Sequence, residues 1–409
     1  MTAKMRMQKD CEALAAKQLL TREQLADWNQ RLATDDASRR QQLREELRVL
    51  FKRELDELIT RLRLQQNQQQ QQTLQQSDLV AVAAGGVLGM FNAWMRPAPA
   101  ATPTPAPATR AVNNAQANLW ASAFDGAQAF LNVSRQRRVL DHVQITHMAG
   151  DETTSDHVLL CVNGFMTQGA DPSKNWGVWA QSSNVVLYAL QWEAGDVDVW
   201  NEFCAHANEN LKTSSAHELL THFTGNPWHK AEDKASQVGV LLAQVLASEP
   251  TFCRGRRVSL LGHSLGGAVI YSALKELSRM RDEGLVKDLS VRYVKNALVF
   301  GGAFIPSARG LGCMAREIAS DGKLINVYSE RDDVLSKLYW ALQLHAGGPI
   351  AAGCAPVDFA KARITNGVNI DVSDLLPPRV DNQFGHSYGH QMEAIRARVQ
   401  PYVPLDTKE

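Results

Sequence analysis

Between Arg257 and Leu277 the chain runs from an apolar stretch, RVSLL, through Gly262-His263-Ser264-Leu265-Gly266-Gly267 into AVIYSALKEL, a helical pattern. A strand that must become a helix within a few residues has few ways to fold. Gly262 and Gly266 stand where the strand and helix press on the turn, and a Cβ there would collide. The residue between them, Ser264, is expected in a strained backbone conformation with its hydroxyl lifted above a sheet. The nearby helix N-terminus favours negative charge developing at that point. Gly-x-Ser-x-Gly alone occurs by chance, and the strand before it and the helix after it are what make the match specific.

The surrounding chain agrees with this turn. From residue 155 onward short apolar runs alternate with helical stretches. The runs are His157–Val162, Val185–Leu190, Arg257–Leu261, Asn296–Phe300, Leu324–Tyr328 and Gly367–Val372. Helical patterns cover Trp228–Ala247, Ala268–Met280 and Met392–Val399. Continuous apolar strands separated by helices imply a mostly parallel sheet covered on both faces. The expected class is therefore α/β, of the α/β-hydrolase type, with a helical extension before it and a helical cap.

A serine hydroxyl becomes a nucleophile when a base takes its proton and an acid orients that base. In a fold of this type the partners follow the serine in the order acid, then histidine, each past a strand end. After LINVY the chain reads Ser329-Glu330-Arg331-Asp332-Asp333. Asp332 is the favoured acid, because Val334 and Leu335 look like the start of a helix; Asp333 is the alternative and Glu330 a weaker one. After the last strand comes Gly385-His386-Ser387-Tyr388-Gly389-His390. His386 is the favoured base, since Gly385 allows a close approach, and His390 is the alternative. His263 is read as a wall of the pocket. An oxyanion hole needs two backbone N–H groups. One is expected at Leu265, and the other at Phe165 or Met166, in the turn after Asn163-Gly164.

The first part of the chain reads differently. Leu43, Leu47, Leu50, Leu55, Leu58 and Leu62 form one apolar helical stripe within residues 1–76. It fits either a helical hairpin or short coiled coil, with a helical partner through 37–64, or an ordinary amphipathic helix packed on the main domain. Residues 65–76 are mostly glutamine. Segment 77–96 holds an uncharged stretch, Leu79–Met95, read either as a membrane contact or as a buried helix. Residues 97–109 form a Pro/Ala linker. The hydrolase-type domain is expected over 110–400, with a cap at roughly 194–227.

Composition removes several classes. Lys plus Arg and Asp plus Glu are each 43, so net charge is zero and there is no electrostatic footprint for nucleic acid. The six cysteines contain no CxxC pair, which removes zinc-ribbon and redox-motif readings. No metal or organic cofactor is expected. The first twenty residues have no uncharged core, so no cleavable signal peptide is expected, and the location is read as cytoplasmic or membrane-associated, with non-classical secretion left open.

Taken together, several segments resemble the α/β-hydrolase domain of the transmembrane and coiled-coil domain proteins, a lipase-like family. They are VNGF with Trp176 downstream, LYALQWE, Asn226-Pro227-Trp228, GHSLGG, INVYSERDDVL and NIDVSDLL with a later Gly-His. Two departures are Gly267-Ala268 at the start of the serine's helix and a longer span from Asp374 to the histidine. The resemblance implies a serine hydrolase domain beside helical and membrane-associated segments. The expected activity is carboxylester hydrolysis, of lipase or phospholipase type, through an acyl-enzyme on Ser264 with a lipid or acyl-ester substrate. A catalytically silent scaffold and a thioesterase are the alternatives.

Overall fold

A computed structural model describes residues 3–33, 37–95, 139–165, 167–182, 184–195, 227–339, 350–377 and 384–403. They fall into two compact units, Met1–Arg63 with Leu140–Glu409, and Leu64–Val139. The expected linker 97–109 and nearly all of the expected cap lie outside the described residues, as does Met166.

In the larger unit a seven-stranded sheet runs in the order β1-β3-β2-β4-β5-β6-β7. The strands are β1 (Val143–Ala149), β2 (His157–Val162), β3 (Val185–Trp192), β4 (Arg257–His263), β5 (Asn296–Phe300), β6 (Leu324–Tyr328) and β7 (Gly367–Asp371). All neighbours pair parallel except β1, which pairs antiparallel with β3 from Val143↔Trp192 onward. Sequence reading misses β1. It is an edge strand with one well-buried face, so it lacks the continuous apolar run of its neighbours.

Both faces of the sheet are covered, and the alternation of β2 shows how. Val158, Leu160 and Val162 join a core with α5 (Pro227–Ala247), α6 (Leu265–Asp282) and α7 (Ala308–Glu317). Leu159 and Cys161 join the opposite core, with Trp176, Trp179 and α8 (Met392–Val399). Trp176 ends the short helix α4 (Ser173–Trp176).

Three helices precede the sheet: α1 (Ala3–Ala16), α2 (Arg22–Ala33) and α3 (Ala37–Met95). The leucine stripe is satisfied within this chain. Leu43, Leu47 and Phe51 pack with Met7, Leu14 and Trp28, and Leu55, Leu58 and Ile59 enter the sheet's core. The ordinary amphipathic helix is therefore what the structure contains at 37–63, and its apolar face is already covered. Helix α3 runs unbroken through the expected segment boundary at 76/77. Glutamine is a good helix former, and no proline interrupts 37–95. No helix among the described residues is long and apolar enough to cross a membrane.

Charged side chains also join α1 and α3 to the sheet. The buried Arg256 donates to Asp10 Oδ2 at 2.9 Å, to the Glu152 carbonyl at 2.7 Å and to the Thr251 carbonyl at 2.8 Å. Arg6 donates to the Ser155 carbonyl at 2.9 Å and pairs with Asp156. Glu54 accepts from the Thr251 N–H at 3.0 Å and pairs with Lys17. These contacts meet the sheet at the N-terminal ends of β2 and β4, at the opposite end of the strands from Ser264.

Candidate functional site

Ser264 occupies the turn between β4 and α6 with φ 56 and ψ −123, far outside the regions an L-residue ordinarily adopts. The conformation is held by backbone hydrogen bonds. Ser264 N–H donates to the Phe300 carbonyl at 3.0 Å, and its own carbonyl accepts from the N–H groups of Gly267 and Ala303, each at 3.0 Å. A Cβ on Gly266 would lie 2.1 Å from the Val162 carbonyl oxygen, and one on Gly262 would lie 2.5 Å from that of Gly266. Strand β2, strand β4 and helix α6 therefore meet too closely at this turn for any side chain. The tight packing forces the strain expected from the sequence.

The loop after β2 lies directly against the serine. A Cβ on Gly164 would sit 2.5 Å from Ser264 Cβ and 3.0 Å from Leu265 N. The loop is fixed from outside. Trp192 Nε1–H donates to the Asn163 carbonyl at 3.0 Å, and Trp176 Nε1–H to Asn163 Oδ1 at 2.6 Å. Thr167 Oγ–H donates to the Gly164 carbonyl at 2.7 Å. Phe165 is half-buried against the larger core. A cleft of about 260 Å³ opens beside the loop, with Asn163, Thr167, Gln168, Gln191 and Trp192 in its walls.

The acid and histidine candidates come from two further loops. Asp332, past β6, is fully buried. His386, past β7, donates from Nδ1 to Asp332 Oδ2 at 2.6 Å, and Leu335 N–H donates to Asp332 Oδ1 at 3.0 Å. Burial pushes the Asp332 carboxyl above the usual range, and His386 beside it acts in the opposite direction. The two loops are tied at the backbone, where Asp333 N–H donates to the Phe384 carbonyl at 2.8 Å. Gly385 has φ 65, and a Cβ there would lie 2.2 Å from the Arg331 carbonyl oxygen. The close approach expected of this glycine is present, and it lies against the acid's loop.

The geometry separates the alternatives. Asp332 carries the bond to His386, whereas Asp333 joins the histidine loop through its backbone. His390 lies exposed on a turn of 3-10 helix, Gly389–Gln391, just before α8. Glu330 is exposed. Among the described residues no group of three or more His, Cys, Asp or Glu side chains is arranged to hold a metal ion.

Sequence reasoning missed the part taken by His263. Its Nε2–H donates to the His386 carbonyl at 3.0 Å, and the two rings lie 4.9 Å apart. Burial, with His386 close by, pushes the His263 pKa down to about 3. No spacing rule reveals such a bond, because its partners are far apart in the chain.

A mostly parallel seven-stranded sheet, an antiparallel first strand and a serine turn after the central β4 define an α/β-hydrolase fold. The model of a family described as "Protein of unknown function (DUF726)" matches residues 209–399. The chain is 27% identical over 270 residues to the transmembrane and coiled-coil domain-containing protein STS1 of Oryza sativa subsp. japonica. It is 33% identical over 129 residues to the probable lipase MIL1 of Saccharomyces cerevisiae, and 31% identical over 181 residues to an uncharacterized membrane protein of Schizosaccharomyces pombe. These alignments cover 60%, 32% and 44% of this chain, but 37%, 11% and 20% of those proteins. The resemblance to the transmembrane and coiled-coil domain proteins therefore holds, for a chain that spans well under half the length of each of these relatives. A poly(3-hydroxybutyrate) depolymerase of Bordetella parapertussis overlays with TM-score 0.34 at 14% identity, over 63% of this chain and 82% of its own. The fold class rests on the strand order itself.

Proposed function

We propose that this protein is a serine hydrolase that cleaves carboxylic esters through an acyl-enzyme on Ser264, with His386 as base and Asp332 as its orienting acid. One observation carries the reading: a serine held at φ 56 on the β4–α6 turn of a fold whose later loops bond a histidine to a buried aspartate at 2.6 Å. The strained turn takes the serine out of the strand ladder, as a nucleophile on this fold requires.

In the proposed reaction His386 Nε2 takes the Ser264 proton as Oγ attacks the ester carbonyl. The carbonyl oxygen becomes an oxyanion, stabilised by the Leu265 N–H and a second N–H from Phe165 or Met166. His386 then returns the proton to the leaving alcohol. Water, activated by the same histidine, releases the acid and restores the serine. Asp332 stabilises the transient imidazolium through Nδ1–H. The bonds from Trp192 and Thr167 occupy the loop's carbonyl oxygens, which keeps their negative ends away from the developing charge.

A lipid or acyl-glycerol ester is the proposed substrate class. The half-buried Phe165 beside the serine loop supports an apolar acyl group, and the yeast relative's description as a probable lipase points the same way. The test is turnover by the purified full chain of p-nitrophenyl esters, acylglycerols, phospholipids and acyl-thioesters. The reading expects ester cleavage that disappears in Ser264→Ala. Turnover equal in Ser264→Ala would refute it, and no turnover of any ester by folded protein would favour the scaffold.

A further inference from the structure

His263 is the last residue of β4 and directly precedes the nucleophile. Two contacts place it against the base, and a third joins it to the base's loop. Its Nε2–H donates to the His386 carbonyl at 3.0 Å. Its ring lies 4.9 Å from the His386 ring at an interplanar angle of 35°. The Tyr388 ring, in the same loop as His386, lies 5.1 Å from the His263 ring. The loop that carries His386 has a left-handed glycine at its start and is tied to the acid loop by the Asp333 N–H bond to the Phe384 carbonyl. The His263 bond is thus a direct link, among the described residues, between the base's backbone and the strand that ends at Ser264.

We infer that His263 is a positioning residue, tying the base's backbone to the end of β4 so that His386 Nε2 stays within reach of Ser264 Oγ throughout the reaction. This rests on the proposed ester hydrolysis. The choice of residue type follows from the chemistry. A phenylalanine would fill the same space but could not donate to the carbonyl. A lysine or arginine would donate, but its positive charge would oppose the imidazolium that His386 must become. A histidine with a pKa near 3 donates while remaining uncharged at neutral pH. The titratable groups that face this assembly are Asp332 and Asp333 from the loop after β6, Cys354 beside the Asp332 carbonyl and Tyr388 from the histidine's own loop.

Two variants and two readouts test this. His263→Phe removes the donor and keeps the bulk, and His263→Gln replaces the donor with an amide N–H. With p-nitrophenyl butyrate, His263→Phe is expected to lower kcat about 100-fold with KM unchanged, the size expected for a displaced reacting group. His263→Gln should regain most of the loss. The second readout needs no turnover. In a Ser264→Ala background, the Nδ1–H proton of His386 bonded to Asp332 should give a downfield NMR resonance that broadens or vanishes on adding His263→Phe and returns with His263→Gln. Unchanged kcat and an unchanged resonance in His263→Phe would overturn the inference while leaving ester hydrolysis standing. Absence of turnover in the wild type would overturn ester hydrolysis, and the resonance would still decide the role of His263.

Discussion

Strand β4 and its following turn carry two serines, one hydrogen-bonded to a histidine and one directly following a histidine, and the contrast between them separates a structural arrangement from the one proposed as catalytic. Near the start of β4, Ser259 Oγ shares a hydrogen bond with His157 Nε2 at 2.8 Å and accepts from Asn296 Nδ2 at 2.9 Å. Past its end, Ser264 directly follows His263, whose ring lies 4.9 Å from that of His386, itself bonded to Asp332. As a list of residue types the first cluster would pass for a Ser-His-Asn triad. Yet Ser259 lies within the ladder, between Leu159 and Asn296, and is fully buried. Burial, together with the nearby cations Arg257 and Lys295, pushes the His157 pKa down to about 3. A histidine in that setting cannot hold a transferred proton. His386 faces a carboxylate instead, and its serine is forced out of the ladder by a strained turn. Backbone conformation, burial and the sign of the neighbouring charge distinguish the two clusters, more than the proximity of serine to imidazole.

The largest expected effect sharpens this contrast. Ser264→Ala should reduce kcat by roughly 10⁴-fold or more without loss of stability, whereas Ser259→Ala should leave kcat within about twofold. The cost of Ser259→Ala appears in stability, about 1–3 kcal/mol by urea unfolding, because His157 and Asn296 lose a shared partner. Asp332→Asn should lower kcat about 10⁴-fold through loss of imidazole orientation. His390→Ala should change it little. A reversed result for the two histidines would move the base to His390.

The contrast extends to the two ends of the sheet. At the end away from Ser264, charged pairs join the N-terminal helices to the strands. Asp10→Ala should destabilise the protein by about 3–5 kcal/mol, since Arg256 would remain buried without its counter-charge. Activity per folded molecule should be unchanged. If Asp10→Ala altered kcat at equal folding, the two ends would be coupled.

Acid should expose the two low-pKa histidines together. The folded-state pKa values of His157 and His263 are about 3, against an ordinary value of 6.5. Below pH 6.5 the unfolded chain binds protons that the folded chain does not, so the contribution is complete above that pH and is lost as pH falls towards 3. Each group adds up to about 1.4 kcal/mol per pH unit to that loss. His157→Gln should remove roughly half of the slope measured by urea unfolding between pH 6 and 5. The smallest effect belongs to Tyr388→Phe. The buried Tyr388 hydroxyl has no hydrogen-bond partner among the described residues, so its removal should leave stability within about 1 kcal/mol or raise it.

The legible parts of this molecule share one property, that their information is local. The apolar strands, the glycines of the serine turn and the final helix Met392–Val399 are each written within a few residues, and the structure places them where the pattern implies. Local signals rank Asp332 over Asp333 and His386 over His390, but the bond between Asp332 and His386 joins two loops and is visible only in the fold. Strand β1 was hidden by its position at the sheet's edge. The pairing of Asp10 with Arg256 and the bond from His263 to His386 join residues far apart in sequence, and no periodicity encodes such contacts.

The central claim concerns the reactivity of one hydroxyl. The direct measurement is mass-spectrometric mapping of a fluorophosphonate adduct on the intact protein and on His386→Ala. The account predicts a single adduct on Ser264 that forms readily in the wild type and is all but lost in His386→Ala, with Ser259 unmodified. An adduct elsewhere, or labelling of Ser264 at the same rate without His386, would contradict it.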